Sequence, residues 1–228
     1  MTIEAVIFDL DGTLAHFNLD FKAMRAEVRG YLIRAGVPAS VLIVNESIFE
    51  MLAKSEIFFK NGDKSNSARI FEEIRTQALA IAEKYEMEAA LTTSLQTGAV
   101  EMLKELNGMK LKMGLCTTNS EKAAKYILQR FKIEDFFKTV VPRDKVKYVK
   151  PHTEQFEVAL EALDARAQGT VIVGDSIVDM QSAKELKAIA VGIPTGMATL
   201  EQLKHNSANF IITSLSDLPS LIREINKP

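Results

Sequence analysis

The sequence predicts an α/β protein: a doubly wound parallel sheet whose first strand is followed by an inserted all-helical segment. Three observations carry this. Short β-branched runs alternate with helix-period segments over most of the 228 residues, the pattern of a parallel sheet with helices on both faces. Runs such as Val171–Ile172–Val173 are apolar without a break, as strands buried on both sides must be. Between about 15 and 94 the alternation stops, leaving helical patterns and no convincing strand.

The first strand is read from "AVIFDL", and later ones from "LKMGLCTT", "KTVVPRD", "TVIVGD", "AIAVGI" and "NFIIT". Helices are expected between them at "GAVEMLKELN", "SEKAAKYILQRF", "TEQFEVALEALD" and "DMQSAKELK", where apolar residues fall three and four apart, as in Ala124, Ile127 and Leu128. Ser120 is placed as a helix N-cap, and Pro151 as a helix start. The insert shows roughly four helical patterns: "LDFKAMRAEVRGYLIRAG", "ASVLIVNESIFEMLAKSEIFFKNG", "NSARIFEEIRTQALAIAEKYE" and "EAALTT". Within the second, "VLIVN" fits either a strand or a buried helix. The expected division is therefore 1–14 with 95–228 as the α/β core and 15–94 as the insert, hinged near Thr13–Phe17 and Thr92–Thr97. One continuous mixed fold is the alternative.

Composition narrows the function. The chain is 47% hydrophobic and 25% charged, with a formal net charge of -2, so it lacks the basic excess of a nucleic-acid binder. A single cysteine, Cys116, cannot form an internal disulfide, which fits a reducing compartment. No signal-peptide pattern opens the sequence and no apolar run approaches the ~20 residues of a membrane span. The expectation is a cytoplasmic protein, monomer or homodimer, with neither membrane nor nucleic-acid partner.

Parallel sheets of this kind place their sites beyond the carboxyl ends of the strands, and the polar residues cluster at those ends. Asp9 and Asp11 close the first strand; Thr117, Thr118 and Asn119 close the second; Asp175 closes "TVIVGD", with Asp179 four residues on; Lys150 lies in "VKPH". Two carboxylates ~4 Å apart repel by about 4 kcal/mol at an effective dielectric of ~20, so crowded acids call for a counterion. Hard oxygen ligands suit Mg²⁺. A cation in turn attracts phosphate, whose remaining oxygens a hydroxyl and a lysine can hold. Asp9 is then free to act as a nucleophile and Asp11 as a proton carrier.

The ordered set "DLDGTL", "TTNS", "KPH" and "GDSIVD", with an insert after the first, resembles the haloacid dehalogenase superfamily of phosphatases, nearly end to end. The resemblance implies a Rossmann-like core with a helical cap of the phosphoglycolate phosphatase and β-phosphoglucomutase branch. It implies Asp9 as nucleophile, Asp11 as acid/base, Thr117 as the phosphate-holding hydroxyl (Thr118 if the strand runs one residue longer), and Lys150 as balancing cation. Thr118 and Asn119 would line the substrate. Mg²⁺ would be held by Asp9, the backbone carbonyl of Asp11 and Asp175, with Asp179 in support. The implied reaction is hydrolysis of a small phosphomonoester, phosphoglycolate-like or a sugar phosphate, through a phosphoaspartyl intermediate. A phosphosugar mutase, a dehalogenase and a non-catalytic binding module are the competing readings. Cys116 is expected to be an inert buried thiol and Arg143 a surface residue. His16, His152 and His205 show no ligand spacing. Arg25, Arg29, Arg34, Lys54, Lys60, Lys64, Arg69 and Arg75 of the insert are read as its wet face, one or two of them available to select substrate.

Overall fold

The computed structural model describes residues 2–16, 18–61 and 67–227. Phe17 of the first expected hinge and Lys64 of the insert lie outside these. The chain forms two compact units: Met1–Asn18 with Ala90–Pro228, and Leu19–Ala89.

The first unit holds a parallel α/β sheet with flanking helices. Its six strands among the described residues are β1 (Ala5–Phe8), β2 (Lys112–Cys116), β3 (Thr139–Val141), β4 (Thr170–Gly174), β5 (Ile189–Gly192) and β6 (Phe210–Ile211). They run parallel in the order β3-β2-β1-β4-β5-β6. Because successive strand residues face opposite sides, β1 feeds two cores. Val6 and Phe8 join Leu103 of α4 (Ala99–Gly108), Ile127 of α5 (Glu121–Arg130) and Ile222 of α9 (Leu218–Ile225). Ala5 and Ile7 join Phe156 of α6 (Glu154–Leu163), Met180 of α7 (Ile177–Leu186) and Leu203 of α8 (Leu200–His205). All four β1 side chains are fully buried; each full burial of an Ile or Phe contributes roughly 1.5–3 kcal/mol. That is why the central strands read as unbroken apolar runs.

The second unit packs α1 (Phe21–Arg34), α2 (Ile48–Lys60) and most of α3 (Ser67–Thr92) around Val28, Leu32, Met51 and Ala78. Asp20 caps α1, and Ser47 with Glu50 forms a capping box on α2. The described residues hold three helices here rather than four, because "EAALTT" contains no breaker and continues α3. "VLIVN" is neither strand nor helix. It is a turn whose Ile43 and Val44 are 60% and 68% exposed. Side chains satisfy its backbone instead: Arg29 donates to the Ala39 and Leu42 carbonyls, and the Ile43 N–H donates to Glu46.

Both segments that join the insert to the core are tied together within the first unit. Ala15 and Leu95 form an antiparallel bridge. The His16 N–H donates to the Ser94 carbonyl at 2.9 Å, the Gln96 N–H to Leu14 at 2.8 Å, and the Thr93 hydroxyl to His16 at 2.8 Å. Pro151 does not start a helix. The Lys150–Pro151 bond is cis and α6 begins at Glu154.

Candidate active site

The sheet ladder itself aims the first site residues. Beyond β1 the Asp9 N–H donates to Val173 at 2.9 Å, and beyond β2 the Thr117 N–H donates to Val141 at 3.2 Å. Asp9 and Thr117 are therefore fixed to the sheet one residue past their strands, at its carboxyl edge. Both are buried.

Lys150 joins three elements at this edge. Its Nζ donates to Asp9 Oδ1 at 2.5 Å, to Asp179 Oδ1 at 2.8 Å and to the Cys116 carbonyl at 3.1 Å. Burial works against the ammonium charge, but Asp179 and Asp9 outweigh it and hold the lysine above its usual pKa. Asp179 is fully buried and its second oxygen accepts from the Ser176 backbone and hydroxyl, a capping box that starts α7. With both oxygens engaged by protein donors, its place here is to hold Lys150.

Asp9, Asp175 and Asp179 each bring a carboxylate oxygen within 4.8 Å of the other two. Burial, opposed by Lys150, pushes the Asp9 carboxyl up to about 6. Burial, then the charges of Asp9 and Asp179, push Asp175 up to about 8. Asp175 Oδ2 accepts from the Met197 N–H at 2.6 Å, and Thr13 Oγ1 reaches Asp175 Oδ1 at 3.3 Å and Asp9 Oδ2 at 3.5 Å. Gly12 and Gly196 press on this carboxylate from the backbone: a Cβ would lie 2.5 Å from Asp175 Oδ2 at Gly12 and 2.0 Å at Gly196. Gly12 also has φ +84, which its tight turn requires.

Asp11 stands apart from this cluster. Its carboxylate is half-buried and accepts from Asn119 Nδ2 at 2.5 Å. The Thr117 hydroxyl, 1% exposed, accepts the Asn119 N–H at 3.2 Å, while Thr118 is half-buried and its carbonyl accepts from Arg143 Nη1 at 3.2 Å. β2 ends at Cys116, so Thr117 is the first residue past the strand. Arg143 is not on the surface: it is 4% exposed and its N–H donates to the Asn119 carbonyl at 3.1 Å. Cys116 is buried as expected, and burial pushes its thiol up, away from reactivity.

All the expected residues at strand ends thus fall on one edge of the sheet, with Asp11 and Asn119 forming a pair beside the acid cluster. The sequence reading missed Thr13, Ser176 and Gln155. Gln155 carried a signal: with Ala159 and Leu163 it repeats every fourth residue on the buried stripe of α6, an amide where an aliphatic chain would pack.

A doubly wound parallel sheet thus brings an acid cluster, a buried lysine and a strand-end hydroxyl to one carboxyl edge. A family model for haloacid dehalogenase-like hydrolases matches residues 6–193, and the chain belongs to that family. It is 30% identical over 232 residues to pyrophosphatase PpaX of Bacillus cereus (strain G9842), with all of both chains covered. A crystal structure of a hydrolase from Pseudomonas syringae superposes with a TM-score of 0.67 at 26% identity, covering 98% of this chain and 100% of that one. A haloacid dehalogenase superfamily hydrolase from Geobacter sulfurreducens PCA gives 0.59 at 24% identity over 96% and 100%. Among the described residues no helix is long and apolar enough to cross a membrane.

Proposed function

We propose that this chain is a Mg²⁺-dependent phosphohydrolase that cleaves a small phosphomonoester through a phosphoaspartyl intermediate on Asp9. The observation that carries the reading is the Asp9 carboxylate, held by Lys150 at 2.5 Å inside a cluster of three acids, with a fourth acid, Asp11, outside it. The donor set fits a hard divalent cation. Oxygens converge within 4.8 Å, and Asp175 retains a proton to about 8 when no cation offsets its neighbours. Asp9, Asp175 and the Asp11 backbone carbonyl would hold the metal, with Asp179 supporting through Lys150. Bound there, Mg²⁺ would neutralise the acids and attract the phosphoryl oxygens.

Asp9 attacks phosphorus, the bond to the leaving oxygen breaks, and Asp11 gives that oxygen its proton. Water then loses a proton to Asp11 and attacks the phosphoaspartate, releasing phosphate and freeing Asp9. Thr117 and Lys150 hold the phosphoryl oxygens, and Thr118 with Asn119 lines the substrate. The helical segment, expected at 15–94, serves as a cap that admits small metabolites. The protein works in the cytoplasm as a monomer or homodimer. Asp11 argues against the dehalogenase reaction, which needs no second acid. A diphosphate substrate is the second reading, favoured by the relative named as a pyrophosphatase at 30% identity.

Phosphate release from phosphoglycolate, sugar phosphates, p-nitrophenyl phosphate and inorganic diphosphate, with Mg²⁺ or excess EDTA, tests these readings together. Metal-dependent release is expected. Full activity in EDTA, or no release from any of the four, overturns the proposal, and a preference for diphosphate selects the second reading.

A further inference from the structure

Gln155 is fully buried at the start of α6, and its amide is engaged on both sides. Oε1 accepts the Lys150 N–H at 3.1 Å, and Nε2 donates to the carbonyls of Thr117 at 2.8 Å and Val141 at 3.1 Å. Those three backbone groups belong to the lysine loop, the turn after β2 and the end of β3. The Gln155 carbonyl in turn accepts from the Cys116 thiol at 3.3 Å, and the Cys116 carbonyl takes Lys150 Nζ at 3.1 Å. Five polar contacts therefore close one small region behind the catalytic edge.

Packing does not ask for an amide there. Ala159 and Leu163 on the same stripe are fully buried hydrocarbons, and burying an amide costs more than burying an alkyl chain unless every bond is made. What the amide does that an alkyl chain cannot is fix the distance between two segments that carry chemistry. Lys150 sits on one and Thr117 on the other, the cation and the hydroxyl that would share the phosphoryl oxygens. Glu154, one residue earlier, fastens the upstream part of the same loop, its carboxylate accepting from the Lys147 and Tyr148 N–H groups at 3.0 and 2.9 Å.

We infer that Gln155 is a positioning residue: it sets the spacing of Lys150 and Thr117 and so the grip on the phosphoryl group. This rests on the phosphohydrolase reading. Misplacement of a reacting group by ~1 Å can cost ~10²-fold in rate. Gln155→Met keeps the volume and removes all three bonds, and kcat/KM should fall by roughly 10–10²-fold. A role in stability alone would not act through the lysine. Lys150→Met therefore gives the decisive cycle, because coupled residues are non-additive. In that background Gln155→Met should lower the residual rate by less than ~3-fold. Leu160→Ala, on the same helix, should lower the melting temperature yet leave kcat/KM within about twofold.

The same cycle is read a second way, as inorganic phosphate affinity of the metal-loaded protein by calorimetry. If wild type hydrolyses no phosphate compound, the phosphohydrolase reading falls, and the phosphate affinities still decide the role of Gln155. If Gln155→Met does not fold, Gln155→Leu replaces it: it removes the acceptor for Lys150 and both donors without setting an acid against the two carbonyls. A folded variant of either kind with wild-type kcat/KM and phosphate affinity overturns the inference, as does an equal loss in both lysine backgrounds.

Discussion

Asp11 bonds to Asn119 while Asp9 bonds to Lys150, and this separation gives the two acids different consequences when neutralised. Asp11→Asn leaves the three-acid cluster intact, so Mg²⁺ affinity should hold. Turnover of alkyl phosphates should drop by ~10²–10⁴-fold, the usual contribution of a general acid–base group. p-Nitrophenolate leaves without a proton, so the first half-reaction with its ester should lose less. A phosphorylated Asp9 should then accumulate and be seen by mass spectrometry in this variant, and never in Asp9→Asn. Unchanged turnover of alkyl phosphates by Asp11→Asn would contradict the division. Asp175→Asn has two opposite effects. It removes a carboxylate destabilised by burial and by Asp9 and Asp179, so the metal-free protein should melt higher at pH 8, by calorimetry. Activity should fall by at least ~10²-fold even in excess Mg²⁺, the scale of losing an electrostatic group at the reacting centre.

Among the elements, α7 does most with least sequence. Its capping box uses Asp179, the same side chain that holds Lys150. Ser176→Ala removes a cap bond worth ~1 kcal/mol, and in a chain of this size the melting temperature should fall by ~2–4 °C. Because Asp179 also loses its orientation, kcat should fall with it, which a cap remote from the site would not produce. An unchanged kcat in the presence of the expected thermal shift would separate the two roles. The central strands were legible because burial on both faces leaves them no choice but apolar residues, and Asp9 and Asp175 because each sits where such a run stops. "VLIVN" misled because β-branched composition reports burial, and Ile43 and Val44 are exposed; their turn is held by Arg29 and Glu46, which lie outside the window. Arg143 and Thr13 were illegible in a stronger sense, and the helical period that marked Gln155 as buried did not say what its amide would bond. Their partners lie at least four and up to 162 residues away, and no local pattern encodes a hydrogen bond across the sheet.

For the whole molecule, the acid cluster sets a pH dependence. Asp9 and Asp175 carry folded-state values of about 6 and about 8, above the usual 3.8. The folded, metal-free protein thus keeps protons that the unfolded chain has already released. By linkage, stability falls as pH rises from about 4 through about 8. The loss is absent below the unfolded value and complete above the folded one. Metal-free melting temperatures should decline across that window, and Mg²⁺ should flatten the decline. Its binding at pH 7 should release protons, visible as a dependence of the calorimetric heat on buffer ionisation enthalpy. Equal heats in phosphate-free buffers of different ionisation enthalpy would contradict this. The tie between Leu14–His16 and Ser94–Gln96 leads further. Replacing Leu19–Ala89 by a short Gly/Ser linker should leave an α/β unit that unfolds cooperatively by circular dichroism, since its internal bonds are its own. A molten product would refute that independence. To the sheet, everything between those two fastened ends is one loop, and doubling a loop's length costs only ~0.6 kcal/mol. The junction is a socket: an insert of another length or sequence should leave Asp9, Lys150 and Asp175 in their places, so under the proposed cap role the reaction and the choice of what undergoes it would be separable.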